Sequence, residues 1–367
     1  MENFYAPERS KIAVIGGGNI GTQFACICAT KGYAVNIYTS RPQEFDSELE
    51  VVNENNEVIK GKIKKATHDM GEAISGCSVV FVTHPAFQLK ATADLMLPYV
   101  NAEMNICVVP GTGGAEFSFH ECIQSGATLS GLQRVPSIAR LEKYGKRVRA
   151  EGLRDRLFLA AIPNNRTTEL AELLAFLFDI PCEPLPNYLS VTLTPGNPIL
   201  HTTRLRTLFA DYENGVVYEK NPLFYGEWSD ASSELLISCD AELQQMCRIL
   251  SKMDLSKVRS LKLHYESDTV QALTDKIRSI KSLHNLPSPM ERIEGGWIPN
   301  FKSRYFTADF PYGLAILEGI ADILKFNAPN ISATMSWYRQ VTGDTTHLEL
   351  GEYGIHEISD LYAVYTN

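Results

Sequence analysis

No stretch of this 367-residue chain stays apolar for the length that a membrane-spanning helix requires, so a bilayer is not an expected partner. A basic excess is missing as well. The 34 Lys and Arg stand against 43 Asp and Glu, and the resulting net charge of −9 argues against nucleic acid, whose binders carry a basic face. Met1 to Ser10 is polar and lacks the apolar core of a secretion signal. The cysteines, at 26, 28, 77, 107, 122, 182, 239 and 247, fall mostly in apolar segments, and no Cys-x-x-Cys or paired Cys/His spacing occurs. No metal site is expected, and a reduced, cytoplasmic protein with buried thiols is the simplest account. Internal repeats and low-complexity segments are absent too. What remains is an ordinary globular composition, 44% hydrophobic and 21% charged, in a chain long enough for two domains.

The most informative segment runs Lys11-Ile12-Ala13-Val14-Ile15-Gly16-Gly17-Gly18-Asn19-Ile20-Gly21. A short apolar run enters a Gly-x-Gly-x-x-Gly turn, a small-residue helix from Thr22 to Lys31 leaves it, and a second apolar run, Tyr33 to Tyr38, completes a β-α-β unit. In a dinucleotide-binding turn Gly16 makes the tight bend, Gly18 lets the backbone approach a pyrophosphate, and Gly21 allows close helix–strand packing. The helix start, Asn19 and Ile20 included, presents free N–H groups to the phosphates. An NAD site places Asp or Glu about 20 residues after the first glycine, on the ribose 2′-hydroxyl. Here the second strand ends Tyr38-Thr39-Ser40-Arg41-Pro42, and the first carboxylate comes only at Glu44. Thr39 and Ser40 can donate to a 2′-phosphate and Arg41 can pair with it, so the pattern favours NADP(H). The plainer alternative for Arg41 is a solvated loop residue.

Two more apolar runs end in turns, Val79–Val82 before Thr83-His84-Pro85 and Ile106–Val109 before Pro110-Gly111-Thr112-Gly113. Both read as parallel strands covered on two faces, so His84, Pro85, Thr112 and Gly113 are expected along the carboxyl edge, as walls of the nicotinamide pocket. A strand over Arg156–Ile162 and a helix over Thr168–Phe178 follow. The cluster Pro181, Pro184 and Pro186 reads as the exit from the sheet domain. Beyond it the pattern turns helical: Leu236, Cys239, Leu243, Met246, Leu250 and Met253 recur at spacings of three and four, one buried stripe. Thr269–Leu283 and Tyr312–Phe326 read as further helices, the latter stopped by Pro329. The expected architecture is α/β: a doubly wound parallel Rossmann domain over 1–190, then a mainly helical substrate domain over 191–367, with chemistry in a cleft between them.

Thr194-Pro195-Gly196-Asn197-Pro198-Ile199-Leu200-His201 opens the helical half. Asn197 reads as an N-cap and Pro198 as the first helical residue, which puts His201 one turn in, on the face of Asn197. A capped helix with a buried, satisfied histidine is the competing reading. A second segment, Arg304-Tyr305-Phe306-Thr307-Ala308-Asp309-Phe310-Pro311-Tyr312-Gly313, places an acid at the start of another helix.

Together these two segments resemble the opine dehydrogenases. Asn-Pro-x-x-His after a Rossmann domain, followed about 100 residues later by Arg-Tyr-x-x-x-Asp-x-Pro-Tyr-Gly, is the pattern that carries the likeness. The resemblance implies reductive condensation of an amino-acid amine with an α-keto acid by NADPH or NADH. It implies His201 as catalytic histidine, Asp309 as its carboxylate partner and Arg304 as anchor for the keto-acid carboxylate. The segments His201-Thr202-Thr203-Arg204-Leu205, Phe224-Tyr225-Gly226-Glu227-Trp228, Ser232-Ser233-Glu234-Leu235 and Asp240-Ala241-Glu242-Leu243 are similar to the metallophore branch, of staphylopine and pseudopaline type. That branch joins a nicotianamine-like intermediate to pyruvate or 2-oxoglutarate with NADPH. The tail from Thr345 to Asn367 matches no pattern.

The chemistry suits these residues without the family name. Imine formation needs a proton donor for the departing oxygen and a group to fix the carboxylate. The helix N-terminus disfavours a cationic imidazole by about 0.3–1 kcal/mol, whereas a contacting carboxylate favours it by about 1.4–4 kcal/mol. The donor role of His201 therefore requires Asp309 beside it. Arg140 and Asn197 are further substrate-binding candidates, and for Arg140 a helix-surface position is the alternative. Tyr225 and Tyr305 read as substrate walls or core. Two other functions compete: reduction of a keto acid to a hydroxy acid without an amine, and NADP(H) binding without turnover. The partners are small molecules, and a homodimer is compatible with such a fold.

Overall fold

The computed structural model describes residues 10–345 and 348–366. The polar N-terminal stretch, residues 1–9, lies outside them. The chain divides into two units: one reaches Thr192 and takes in the last residues from Ala363, and the other runs from Leu193 to Tyr362.

Among its described residues the first unit carries twelve strands: β1 (Lys11–Ile15), β2 (Ala34–Tyr38), β3 (Glu48–Val52), β4 (Val58–Lys62), β5 (Lys65–Thr67), β6 (Val79–Val82), β7 (Asn105–Val108), β8 (Thr128–Leu132), β9 (Ile138–Lys143), β10 (Arg147–Glu151), β11 (Leu157–Ile162) and β12 (Cys182–Pro184). Eight form one sheet in the order β12-β11-β8-β7-β6-β1-β2-β5. From β5 to β8 every neighbour is parallel, with Ile12 paired to Val35 on one side and Val79 on the other. That run is the strand order of a dinucleotide-binding sheet. Only the β8–β11 pairing is antiparallel. Ile12, Val14, Val79 and Phe81 are wholly buried, as expected for strands covered on both faces.

The proline cluster does not leave the sheet at once. Cys182–Pro184 pairs with β11 as the edge strand β12, where a missing N–H is tolerated, and the unit continues to Thr192. Its last described residues include Tyr365, whose hydroxyl donates to buried Glu116 Oε1 at 2.8 Å, so the end of the chain belongs here and not to the 191–367 domain expected from sequence.

A second, four-stranded sheet, β4-β3-β10-β9, was not anticipated. It packs on the helix Asn19–Thr30. A Cβ at Gly61 would lie 2.3 Å from the Cys26 carbonyl oxygen, and the Cys26 thiol donates to Leu49 O at 3.3 Å. The Asn19 side chain accepts from the Leu141 amide at 2.8 Å, and Gln23 donates to Ser137 at 2.7 Å. Sheet and helix thus share one core, which includes Phe24, Cys26, Leu49, Val51 and Val148. Burial pushes the Cys26 thiol up to about 12, so it stays protonated.

The second unit is mainly helical, with helices Asn197–Leu208, Asp230–Ile249, Val270–Arg278, Ala315–Ile323 and Pro329–Thr342, and one hairpin, Met290–Ile293 with Gly296–Pro299. The stripe Leu236, Cys239, Leu243 and Met246 is buried inside the long helix; Leu250 and Met253 lie just past its end. Pro329 does not stop the preceding helix. That helix ends at Ile323, followed by Lys325 at φ 49°, and Pro329 opens the next one, where its missing N–H costs nothing. No helix of the described residues is long and apolar enough to cross a membrane.

One buried acid ties this unit together. Asp240 on the long helix accepts the Leu261 amide at 2.9 Å, and burial pushes its carboxyl from 3.8 up to about 6. The folded state therefore binds the extra proton between those values, and stability falls as pH rises through that window. Asp240→Asn, which keeps an acceptor for Leu261, is expected to remove that slope and raise Tm at pH 7 by a few degrees (about 2–4 °C per kcal/mol), with no gain at pH 4. Thermal melts across pH 4–8 check this; parallel slopes in the two proteins would contradict it.

Candidate active site

In the first unit, three loops gather at the carboxyl edge of the parallel strands, after β1, β6 and β7. Gly16 has φ 110°, and a Cβ there would stand 2.7 Å from Thr83 Oγ1 and 2.9 Å from His84 Cδ2. A Cβ at Gly21 would strike the Gly16 carbonyl oxygen at 1.7 Å. At Gly18, by contrast, it would meet nothing within 4 Å. Two glycines are thus demanded by packing and the middle one by nothing inside the protein. Gly18 is also the N-cap of the helix Asn19–Thr30, and no side chain caps that end. Open space before uncapped amides fits a pyrophosphate. Of the flanking residues, Asn19 spends its side chain on Leu141 and Ile20 packs against the core.

Where a 2′-phosphate would be read, Thr39 Oγ1 lies 2.7 Å from Tyr144 Oη and accepts from the Arg41 amide at 3.3 Å. The Arg41 guanidinium stands 3.7 Å over the Tyr144 ring and pairs with Glu44 at 3.2 Å. Ser40 and Arg41 are exposed. Tyr144, in the turn between β9 and β10, was missed, because no local spacing links it to residues about 100 positions earlier. His84 Nδ1 is 2.8 Å from Thr92 Oγ1, and burial pushes the His84 imidazole pKa down, towards the neutral ring. Pro85 starts the turn after it. Next to Thr112, Gly113 and Gly114 take φ 83° and 69°, left-handed positions that favour glycine.

The second unit holds the acid–base cluster. His201 lies on the helix Asn197–Leu208, 7% exposed. Its Nδ1 is 2.8 Å from Asp309 Oδ2, and its Nε2 is 2.7 Å from Tyr225 Oη. Tyr305 covers the ring at 4.6 Å between centroids, and Phe224 and Tyr225 meet it edge-on. The two motifs, 108 residues apart, converge in one partly buried contact. With Asp309 ionised, Nδ1 carries a proton towards it, so the neutral imidazole keeps Nε2 as an acceptor and the imidazolium donates from both nitrogens. Burial, with Tyr305 next, raises the Tyr225 phenol well above its ordinary value, and burial raises Tyr305 too; both remain neutral hydroxyls.

Arg204, one turn beyond His201, is 3% exposed. It donates to Phe224 O at 3.0 Å, Glu227 O at 2.8 Å and Ser232 Oγ at 3.3 Å. Desolvation pushes its guanidinium down to about 10. This cation clamps the Phe224–Trp228 turn and so fixes where Tyr225 stands. In the sequence it stood only within the segment His201-Thr202-Thr203-Arg204-Leu205, with no role of its own.

The remaining candidates are placed as follows. Gly196, not Asn197, is the N-cap; Asn197 is the first helical residue, exposed, one turn before His201 on its face. Asp309 precedes the turn Phe310–Leu314 without capping it, since its carboxylate goes to His201. Arg304 opens the short helix Arg304–Thr307 and is exposed, beside Tyr305. Arg140 is not on a helix. It lies exposed on β9 in the first unit, with Nη1 donating to Ala139 O at 3.1 Å. Among the described residues no group of three or more His, Cys, Asp and Glu is arranged to hold a metal ion.

Residues 184–342 match the family model "NAD/NADP octopine/nopaline dehydrogenase, alpha-helical domain", and residues 11–121 match "NAD-dependent glycerol-3-phosphate dehydrogenase N-terminus". Octopine dehydrogenase of Mizuhopecten yessoensis is 26% identical over 363 residues, covering 91% of this chain and 90% of that protein. The solved structure of an octopine dehydrogenase with NADH and L-arginine superposes with TM-score 0.84 at 23% identity, over 96% of this chain and 97% of the other. A yersinopine dehydrogenase with NADP+ bound gives TM-score 0.65 at 11% identity, over 97% of each. The two structural likenesses establish the fold, and the resemblance to the opine dehydrogenases read from the motifs is borne out over nearly the whole chain.

The glycine geometry separates folding from ligand binding. Gly18→Ala is expected to leave Tm within about 1 °C, because helix and packing change little, yet to weaken dinucleotide binding at least tenfold. Gly21→Ala is expected to lower Tm or abolish folding. Thermal melts and cofactor titration by fluorescence check both; normal cofactor affinity in Gly18→Ala would contradict the assignment of the cradle.

Proposed function

We propose that this protein is an NADPH-dependent opine dehydrogenase that condenses an α-keto acid, pyruvate or 2-oxoglutarate, with the primary amine of an amino acid. The observation that carries the reading is the 2.8 Å contact between His201 and Asp309, with the imidazole packed among Phe224, Tyr225 and Tyr305. A nicotinamide dinucleotide, bound along Gly16, Gly18 and Gly21, supplies the hydride. The residues of this chain do the rest. Asp309 fixes the imidazole tautomer and stabilises its cation; His201 stores the proton that the departing oxygen needs. Arg304 offers a planar fork to the keto-acid carboxylate, a match lysine does not reproduce. Asn197 and Arg140 are assigned as further substrate contacts, and His84, Pro85, Thr112 and Gly113 as nicotinamide walls.

The preference for NADPH rests on the end of β2, where Thr39, Ser40 and Arg41 stand and an acid is absent. Arg41 stacked on Tyr144 is a preorganised anion partner, once its surface pair with Glu44 is exchanged for a phosphate. The amine reading follows the names of the full-length relatives. The narrower one, a nicotianamine-like amine in metallophore synthesis, rests on the motif likeness around Tyr225 and Ser232.

A keto-acid by amine matrix, read by NADPH absorbance and product mass, tests the reaction. Turnover is expected only when both substrates are present, with a product mass equal to amine plus keto acid less one oxygen. Turnover with keto acid alone would instead identify a hydroxy-acid dehydrogenase. His201→Asn, which keeps a donor for Asp309, is expected to lower kcat by about 10²–10⁴-fold with cofactor affinity unchanged; equal loss of cofactor binding would refute the role. Arg41→Ala is expected to raise the Kd for NADPH about 10–100-fold, the loss of one charge-assisted contact, and to leave that for NADH unchanged. Equal effects on the two nucleotides would contradict the 2′-phosphate assignment.

A further inference from the structure

We propose that Tyr144, in the turn between β9 and β10, is a specificity-determining residue of the nucleotide site, which positions Arg41 for a 2′-phosphate, and that this is what the second sheet contributes to binding. The inference rests on the NADPH reading above and adds to it a residue roughly a hundred positions from the loop that it organises. Three contacts join Tyr144 to the loop after β2. Its ring carries the Arg41 guanidinium, 3.7 Å from the ring centroid. Its hydroxyl lies 2.7 Å from Thr39 Oγ1. The same ring meets Phe45 edge-on, with centroids 5.3 Å apart. The backbone fastens the turn to that loop as well. Gly145 stands at φ 65°, and a Cβ there would come within 2.2 Å of the Glu44 carbonyl oxygen. The Gly145 carbonyl accepts the Asp46 amide at 2.9 Å, and Lys146 Nζ pairs with Asp46 at 3.0 Å. On its other side the loop reaches the glycine turn: a Cβ at Gly17 would stand 2.6 Å from Phe45 Cζ and 3.0 Å from Thr39 Oγ1. The Gly16 amide also donates to Tyr38 O at 2.9 Å. The glycine turn and the end of β2 are thus one packed piece, and the β9–β10 turn closes a further side of it.

Within that piece the residues divide by exposure. Thr39 is 3% exposed, and its hydroxyl is already engaged by Tyr144 and by the Arg41 amide at 3.3 Å. It therefore holds the loop rather than the ligand. The Arg41 side chain is 51% exposed, so the ring fixes the cation without hiding it. Its ion pair with Glu44 is exposed too, and such pairs are weak enough to be exchanged for a better anion. An unsupported surface arginine loses rotamer freedom when it grips a phosphate. One stacked on an aromatic face has lost part of that freedom beforehand and keeps its planar edge for the anion. A neutral ribose hydroxyl gains little from the same cation, so the contribution of Tyr144 falls on NADPH and not on NADH.

Calorimetric titrations with adenosine 2′,5′-bisphosphate and with adenosine 5′-monophosphate isolate this subsite from the nicotinamide half of the cofactor. Tyr144→Leu is expected to raise the Kd for the bisphosphate about tenfold, the worth of one cation–π contact, and to leave that for the monophosphate within about twofold. Tyr144→Phe, which keeps the ring and loses only the Thr39 contact, is expected to recover most of that loss. In an Arg41→Ala background Tyr144→Leu is expected to change neither Kd, because its effect passes through the guanidinium. Equal losses for the two ligands would show a merely structural role and overturn the proposal. So would a Tyr144→Phe protein as weak as Tyr144→Leu, or a further loss of bisphosphate affinity when Arg41 is already absent. If wild type favours the bisphosphate and Arg41→Ala abolishes that preference while Tyr144→Leu leaves it intact, only the role of Tyr144 fails. If wild type does not favour the bisphosphate, the NADPH reading fails and the role of Tyr144 falls with it.

Discussion

The hydrogen bond between His201 Nδ1 and Asp309 Oδ2 is the constraint on which the chemical half of this protein depends. Neither group is costly to keep polar near a surface, but the imidazole is held among Phe224, Tyr225 and Tyr305, and the carboxylate that meets it is largely buried. In such surroundings an unpaired ion is expensive, and a paired one gains from the low dielectric. Asp309 is freed for this pairing because the turn it precedes needs no cap from it. Gly313 contributes through its size. A Cβ there would come within 2.6 Å of Pro198 Cβ, so the glycine lets the turn after Asp309 close on the start of the His201 helix. The Asn-Pro-x-x-His and Asp-x-Pro-Tyr-Gly segments are thereby two halves of one contact.

A second buried ion supports the first. Arg204 sits on the His201 helix and satisfies its donors chiefly with backbone carbonyls of the Phe224–Trp228 turn. Carbonyls do not neutralise a guanidinium, and desolvation lowers its pKa to about 10. Retaining a cation in a core is costly, and its effect here is geometric: the helix that carries the imidazole also fixes the tyrosine that meets it. The Thr207 and Ser232 hydroxyls, 2.6 Å apart, extend the same network.

Much of this was legible in the residues. The glycine turn and the apolar runs after it announced the parallel sheet, because strands buried on both faces leave a continuous hydrophobic signature. His201 and Asp309 were legible through motif likeness, since nothing in local spacing relates positions 108 residues apart. The second sheet was not read. Its strands β3 and β10 carry charges alternating with apolar residues, as in Glu48-Leu49-Glu50-Val51 and Arg147-Val148-Arg149, and their pairing joins segments roughly a hundred residues apart. For the same reason the strand that carries Arg140, a substrate-binding candidate whose alternative was a helix surface, went unread, and Tyr144 was overlooked. Pro184 and Pro329 misled because a proline marks an edge strand or a helix start as readily as an exit or a stop. Tyr225 looked like core, and it is buried; its hydroxyl acquires meaning only once the imidazole is seen beside it.

The central claim is that His201 and Asp309 act as one proton-handling unit. A double-mutant cycle on kcat/KM for the condensation, with His201→Asn, Asp309→Asn and the combined variant, tests it most directly. If the two side chains work as a unit, either single change removes nearly all that the pair contributes, and the double variant is no slower than the slower single one. Losses that multiply across the cycle would mean that the two groups act independently, and would contradict the account.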